Sequence, residues 1–445
     1  MKSHSPSSNV RTLLHEKLDA MLDECDLVMD NAEFGQVLND LDHFLFTEGR
    51  NFAKEVLKQK LQERIERNET TTKGKQCPHC QKKTKVHYKK PKTLTTSNGP
   101  ITVRRRYRRC SPCKKSSFPV DVTFGMEKSY TTGLTRIVSR CCGLWSYRLS
   151  ADTIKELIGF RLSPTTVGNI ADQTASEIAE RLQNHPDVRS DFQKAKGETE
   201  FYADGTFVHI RNEFGKAEWR EFKVGAYAKR LRGLSALPTE WHTRTLPEPS
   251  VVSAFASIAD KAGFQELCQS MRRTLGVGGV SSALGDGAKW IWNVVREVFG
   301  KTDECLDVYH ASEHISDCGK ALFGESQSKM EWFERIRNVL LSEGLGGVER
   351  ELLSLKVGLK ESQIKLVDSL LDYFRGNAGR LDYCGRLASG RVIGSGLIEG
   401  ACKNLVGRRL KQTGAPWRLS QANRIARVCD VLYSHQWDNA WKNYN

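Results

Sequence analysis

Glu198-Thr-Glu-Phe-Tyr-Ala-Asp204-Gly-Thr-Phe-Val-His-Ile-Arg211 is a run rich in aromatic, apolar and β-branched residues with one aspartate set in its middle. That content predicts a β-strand, and Asp204 interrupts its otherwise apolar pattern. A second strand signal, Glu218–Lys229, follows at once. Beyond it the pattern predicts a helix over 250–275 and a strand Val280–Leu284 ended by Gly285-Asp286-Gly287. A further strand, Glu304–Tyr309, ends at His310; helices then fill 311–380 and about 395–442. Strands alternating with helices predict an α/β core, interrupted late by a helical block.

Asp286 stands at the carboxyl end of its strand, where open α/β sheets bind ligands. Each Asp-Gly pair, taken singly, is a turn signal. Two of them on neighbouring strand types favour ligands, because carboxylate oxygens are the hard donors that Mg²⁺ takes. Gly394-Ser-Gly-Leu-Ile-Glu399 opens a helix whose next turns carry Lys403, Asn404, Arg408, Arg409 and Lys411. A lone Glu there can be a mere dipole partner. Followed by bases on one helix, it can also present a metal ligand together with phosphate contacts.

The 445-residue chain carries 68 Lys plus Arg against 53 Asp plus Glu, a formal +15. Such an excess favours polyanionic partners, nucleic acid or an anionic membrane. No stretch approaches the roughly 20 apolar residues of a spanning helix, and the N-terminus has no apolar signal core. We therefore expect no membrane partner, a cytoplasmic, nucleoid-associated location, and the 13 cysteines as thiols.

Residues 1–70 read as helices, with Leu13, Leu14, Leu18, Met21 and Leu22 at helical spacing, a stripe for core or partner packing. Over 71–125 the character turns basic and β-like. Cys77-Pro-His-Cys80 and Cys110-Ser-Pro-Cys113 are two C-x2-C pairs, the donor set of a closed, structural Zn²⁺ site, with Asn98-Gly99 as a hairpin turn between them. Unligated thiols or an iron site are the alternatives. Between the pairs Arg104, Arg105, Arg106, Arg108 and Arg109 join six lysines with no acid among them, which suits phosphate contact better than a merely solvated face. Over 126–192, Ser150–Ile158 ends at Gly159, and Ser163-Pro164 starts another helix. That pair fits a helix-turn-helix with Thr165, Thr166 and Asn169 facing base edges, or simple packing.

The blocks Asp204-Gly-Thr, Gly285-Asp286-Gly-Ala-x-Trp-Ile-Trp, Asp307-Val-Tyr-His310, and Ser395-Gly-Leu-Ile-Glu399 with Lys403-Asn404 and Gly407-Arg-Arg-Leu-Lys411 occur in this order. Jointly they resemble bacterial insertion-sequence transposases of the DDE class in the Mutator-like group, nearest the ISKra group. The resemblance covers roughly 193–445. It implies a ribonuclease-H-like α/β catalytic core with an all-α insertion at about 311–390, preceded by the helical segment, a zinc ribbon and the helix-turn-helix. It makes Asp204, Asp286 and Glu399 the Mg²⁺- or Mn²⁺-binding triad, adds His310 through the Asp-x-x-His signature, and leaves His314 to structure. The implied activity is cleavage of the element's ends and joining to target DNA by two-metal phosphoryl transfer, in a homo-oligomer on DNA. Other readings are a domesticated transposase that binds DNA without cutting, a regulator of the same kind, and a nuclease acting on RNA–DNA hybrids.

Overall fold

The structure is a computed structural model in which residues 6–71, 75–184, 189–412 and 416–442 are described. It divides into two compact units, 1–171 and 172–442, the division falling inside the Pro164–Asn184 helix.

The first unit begins with helices Pro6–Asn31 and Val37–Phe44, a π-helical turn Leu45–Gly49 and the helix Arg50–Thr70. A long hairpin follows, β1 (Lys85–Thr96) and β2 (Gly99–Arg109), with β3 (Ser116–Ser117) on the far edge of β2. Thr96 pairs with Gly99, so Ser97-Asn98 make the turn and Gly99, at φ 107°, opens β2. The sequence reading had placed this turn one residue late. Ile65 of the long helix packs with Leu94, Ile101, Val103, Val120 and Met126 to form the core beneath the hairpin. Where β3 does not reach, that edge of β2 has no strand neighbour among the described residues, and side chains serve instead. The Gln62 amide accepts from Arg104 N (2.7 Å) and donates to Arg104 O (3.0 Å), while Glu69 accepts from Arg106 N.

Helices Thr132–Leu144 and Tyr147–Ile158 complete this unit with the first turns of Pro164–Asn184. The middle helix starts one turn earlier than the sequence suggested, because Ser146 caps it by accepting from Leu149 N (3.2 Å). It ends at Gly159, whose φ of 73° is the left-handed stop expected of that glycine.

The second unit is built on a mixed sheet with order β6-β5-β4-β7-β8 and β9 added to β4. β4 (Glu198–Arg211), β5 (Ala217–Arg230) and β6 (Val251–Ser257) run antiparallel. β7 (Ser282–Gly285) and β8 (Glu304–Leu306) join parallel to β4, and β9 (Trp417–Arg418) pairs with its far end. Helices Lys261–Leu275 and Lys289–Phe299 bury Phe264, Cys268, Met271, Ile291 and Val295 against Phe201, Ala203, Tyr227 and Phe255. The helix Leu419–Tyr433 packs beside β6, where Asn423 accepts from Ile258 N (2.8 Å).

Between β8 and Glu399 lies an all-α block, with helices Val308–Phe323, Gln327–Leu355, Glu361–Gly376 and Tyr383–Ala388. Three sequence expectations need correction. The helix over 250–275 is a strand followed by a helix: Val251-Val-Ser-Ala-Phe-Ala-Ser is buried almost throughout, so it lacks the alternation of a half-exposed strand. The strand ending at His310 stops at Leu306, because Asp307 caps a helix there and His310 lies in its first turn. The final helical region is broken by a π-turn and by β9. Among the described residues no helix is long and apolar enough to cross a membrane.

Candidate active site and metal centre

In the first unit two chain turns present thiols toward one another. Cys77 and Cys113 sulfurs are 3.7 Å apart and those of Cys80 and Cys110 3.4 Å, close to the roughly 3.8 Å edge of a tetrahedron with 2.3 Å Zn–S bonds. All four donor atoms lie within 4.8 Å of one another. The turns are built alike. Cys77 N donates to Lys82 O and Cys110 N to Lys115 O, each at 2.8 Å, and each second cysteine is followed by a left-handed residue, Gln81 (φ 60°) or Lys114 (φ 57°). Burial opposes ionisation of Cys77, yet the backbone amides of His79 and Cys80 and the neighbouring thiols bring it down to about 7. Cys110 is pushed up to about 12, since burial and the other sulfurs outweigh the Cys113 amide. The Cys77 thiolate forms readily here, and that of Cys110 calls for a cation. The four cysteines could hold a metal ion such as structural zinc.

The five arginines of β2 divide into two groups. Arg105 is buried, donates to Asp121 (2.6 Å) and lies over the Phe118 ring; Arg108 is buried and donates to Glu69 O (3.2 Å); Arg106 pairs with Glu69 (3.1 Å). These three are held internally, because strand alternation turns Arg105 inward and the acids that answer them, Asp121 and Glu69, lie just outside the acid-free run. Arg104 and Arg109 remain exposed. On the Pro164–Asn184 helix, Thr165 and Asn169 are exposed, but the Thr166 hydroxyl shares a 2.9 Å hydrogen bond with Ser163 at the helix start.

In the second unit, the acids lie on or just past paired strands. Tyr202 pairs with Leu284 and Gly285 with Leu306; Asp204 lies two residues beyond the first of these pairs on β4, and Asp286 and Asp307 directly follow the last residues of β7 and β8. Burial raises the Asp204 pKa, and the Asp286 charge raises it further, against the Gly205 amide, the Cys402 thiol and His310. Asp286 Oδ1 accepts from Ala288 N (2.9 Å), and Gly287 bends the chain at φ 93°, where a Cβ would meet Leu306 at 3.0 Å. Asp307 is fully buried. It accepts from Tyr309 N (2.8 Å) and from the Ser395 hydroxyl, while Val308 N donates to Ile393 O (3.0 Å).

The late segment then runs along β4 past the reach of β7. The Cys402 thiol donates to Asp204 Oδ2 (3.4 Å), Lys411 to the Thr206 hydroxyl (2.6 Å), and Trp417 pairs with Ile210. Glu399 sits on the short helix Gly396–Ala401 and faces Lys403 at 3.9 Å. Among the described residues only the four-cysteine set brings three or more metal-ligating atoms within 4.8 Å. The Asp286 charge is felt at Asp204, and Glu399 does not close a donor set with them. Lys403 and Arg408 are exposed, whereas Arg409 is buried over the Trp417 ring, turned inward where the π-turn Cys402–Gly407 shifts the helical phase. His310 pairs with Glu313 (3.3 Å), and His314 stacks on Tyr373 (3.8 Å between ring centres), its pKa lowered by burial. Sequence reasoning missed Cys402, whose only signal was its place one turn after Glu399.

Compared with models of known protein families and with curated proteins, the chain matches none.

Proposed function

We propose that this chain is a DDE-type DNA transposase of the Mutator-like kind, cleaving the ends of a mobile element and joining them to target DNA. The observation that carries the reading is that Asp286, one residue past the end of the strand parallel to β4, bears on Asp204 through its charge, with the Glu399 segment drawn over β4 through Cys402. Three antiparallel strands followed by two parallel ones, with a helical block before the last acidic helix, fit a ribonuclease-H-like core. The thiol cluster on a basic hairpin fits a zinc ribbon, and the two helices meeting at Gly159 fit a helix-turn-helix.

Asp204 and Asp286 fit a divalent cation such as Mg²⁺ or Mn²⁺, since burial and the Asp286 charge make ionisation of Asp204 harder and a cation would relieve that. Glu399 would hold the ion with them once released from Lys403. Bound there, the ions would neutralise the phosphate and ease deprotonation of the attacking hydroxyl. This chain's part is placement. Lys403, Arg408 and Lys411 follow Glu399 along the chain and would contact the DNA backbone. Water attacks the phosphorus and the 3′-oxygen leaves with the proton balance of a hydrolysis; the freed 3′-hydroxyl then attacks target DNA in the same way.

The test is cleavage of a labelled duplex carrying the element's end. Asp204→Ala, Asp286→Ala and Glu399→Ala should each abolish cleavage and joining while DNA binding stays near normal. Full activity of all three variants overturns the reading. Loss of cleavage in the unaltered protein, with binding kept, favours a domesticated DNA-binding relative instead.

A further inference from the structure

We propose that the N-terminal helical segment, residues 16–48, is a docking surface for the lysine-rich β1 strand of a second copy of this chain. The segment is anomalous in charge. Within a chain of net +15, it holds ten acidic residues and a single lysine. Asp19, Asp23, Glu24, Asp26 and Asp30 are exposed, and no ion pair engages them among the described residues.

It is equally anomalous in packing. The helix Val37–Phe44 buries none of its residues. Phe34 is 107% exposed and Leu38 77%, with Leu22 and Leu27 also more than half exposed. Apolar side chains gathered on one segment and ringed by charge mark an interaction surface rather than a scatter of tolerated exposures. A groove of about 560 Å³ between the helices is lined by Val28 and Phe44 together with Glu24, Asp40 and Glu48. Its chemistry asks for an occupant that is cationic and carries apolar side chains.

DNA fails both requirements, and a second acidic segment would meet like charge. The β1 strand meets both. It is an edge strand of its sheet, bridged to Tyr130 at Thr95, away from its lysine-rich end; Lys83, Lys85 and Lys90 are exposed on or beside it, and Val86 and Tyr88 between them are about half exposed. No Asp or Glu occurs from 75 to 118. Since both faces are exposed in one copy, their contact is made between copies. This inference stands apart from the strand-transfer reading and would hold for a chain that cuts nothing.

The experiment is sedimentation velocity on the full-length protein across a salt series. Self-association should weaken as salt rises. An acid-reversed variant (Asp23→Lys, Asp26→Lys, Asp30→Lys) and a base-reversed variant (Lys83→Glu, Lys85→Glu, Lys90→Glu) should each associate at least about tenfold more weakly. All six positions are exposed, and circular dichroism verifies that each variant is folded. Mixing the two variants in equal amounts should restore association, because each then offers the charge the other lacks. Association that survives in either variant alone, or a mixture that stays dissociated, overturns the proposal. So does a wild-type chain that remains monomeric at low salt. Association lost only on Leu38→Asp, and strengthened by salt, would assign the surface to an apolar contact between like segments instead.

Discussion

Ser395 donates its hydroxyl to the buried carboxylate of Asp307, tying the approach to the Glu399 helix to the end of β8. Ser395→Ala leaves that carboxylate short of a donor, and the unfolding free energy should fall by about 1–3 kcal/mol. Cleavage should fall more than DNA binding, since the change loosens Glu399 and leaves the binding faces alone. Ser395→Thr keeps the hydroxyl and should recover most of both. Denaturant midpoints and cleavage rates on the three proteins check this; equal cleavage in all of them would separate Asp307 from the placement of Glu399.

Asp430 gives a pH dependence whose sign is fixed. Burial raises its pKa from 3.8 to about 7, against the pull of Arg427 and Arg189. Between those values the folded chain keeps a proton that the unfolded chain has released. Stability is therefore lost as pH rises through that window, at up to about 1.4 kcal/mol per pH unit from this group. Asp430→Asn should flatten the slope between pH 4.5 and 7.5. Urea titrations of both proteins at the two pH values measure the difference, and parallel slopes would refute it.

The left-handed residues behind the two cysteine pairs are a source of strain. Gln81 and Lys114 hold φ near 60°, where a side chain costs about 1–2 kcal/mol. Gln81→Gly and Lys114→Gly should each stabilise the first unit by about 0.5–1 kcal/mol after the added freedom of the unfolded chain is subtracted. Metal content should equal that of the unaltered protein, measured by metal analysis beside thermal unfolding.

The arginines of β2 should separate into two phenotypes. Arg104→Ala and Arg109→Ala should keep the fold and reduce the salt dependence of DNA binding by about one unit for each lost phosphate contact. Arg105→Ala breaks a buried pair with Asp121 and should destabilise the unit by roughly 3 kcal/mol. Binding isotherms over a salt series and unfolding curves distinguish the two. A stable Arg105→Ala protein with a reduced salt slope would place that guanidinium on the DNA side.

Local chemistry explains what could be read beforehand. The cysteine spacing, the Gly159 stop, the strand around Asp204 and the late helical block are signals carried within a few residues. β6 was hidden because a strand buried on both faces loses its alternation, and a run of small residues reads equally well as helix. The inward turn of Arg105 and Arg108 was hidden for a different reason: their counter-charges, Asp121 and Glu69, are local neither to them nor to each other. Asp204 and Asp286 were readable as residues, but the bearing of one charge on the other depends on strand pairing between segments about 80 residues apart. The grip of Lys403 on Glu399 could be foreseen from their four-residue spacing, whereas the reach of Cys402 to Asp204 could not.

Gln62 and Glu69 occupy the backbone of β2 as a neighbouring strand would, though both belong to a helix. The helix Arg50–Thr70 is thus a working part of the sheet. A fragment cut at residue 71 would keep all four clustered thiols and the whole hairpin, yet expose a bare ladder of amides open to pairing with other chains. The smallest portable version of the four-cysteine module therefore begins near residue 50, and shorter pieces should precipitate whether or not metal is supplied.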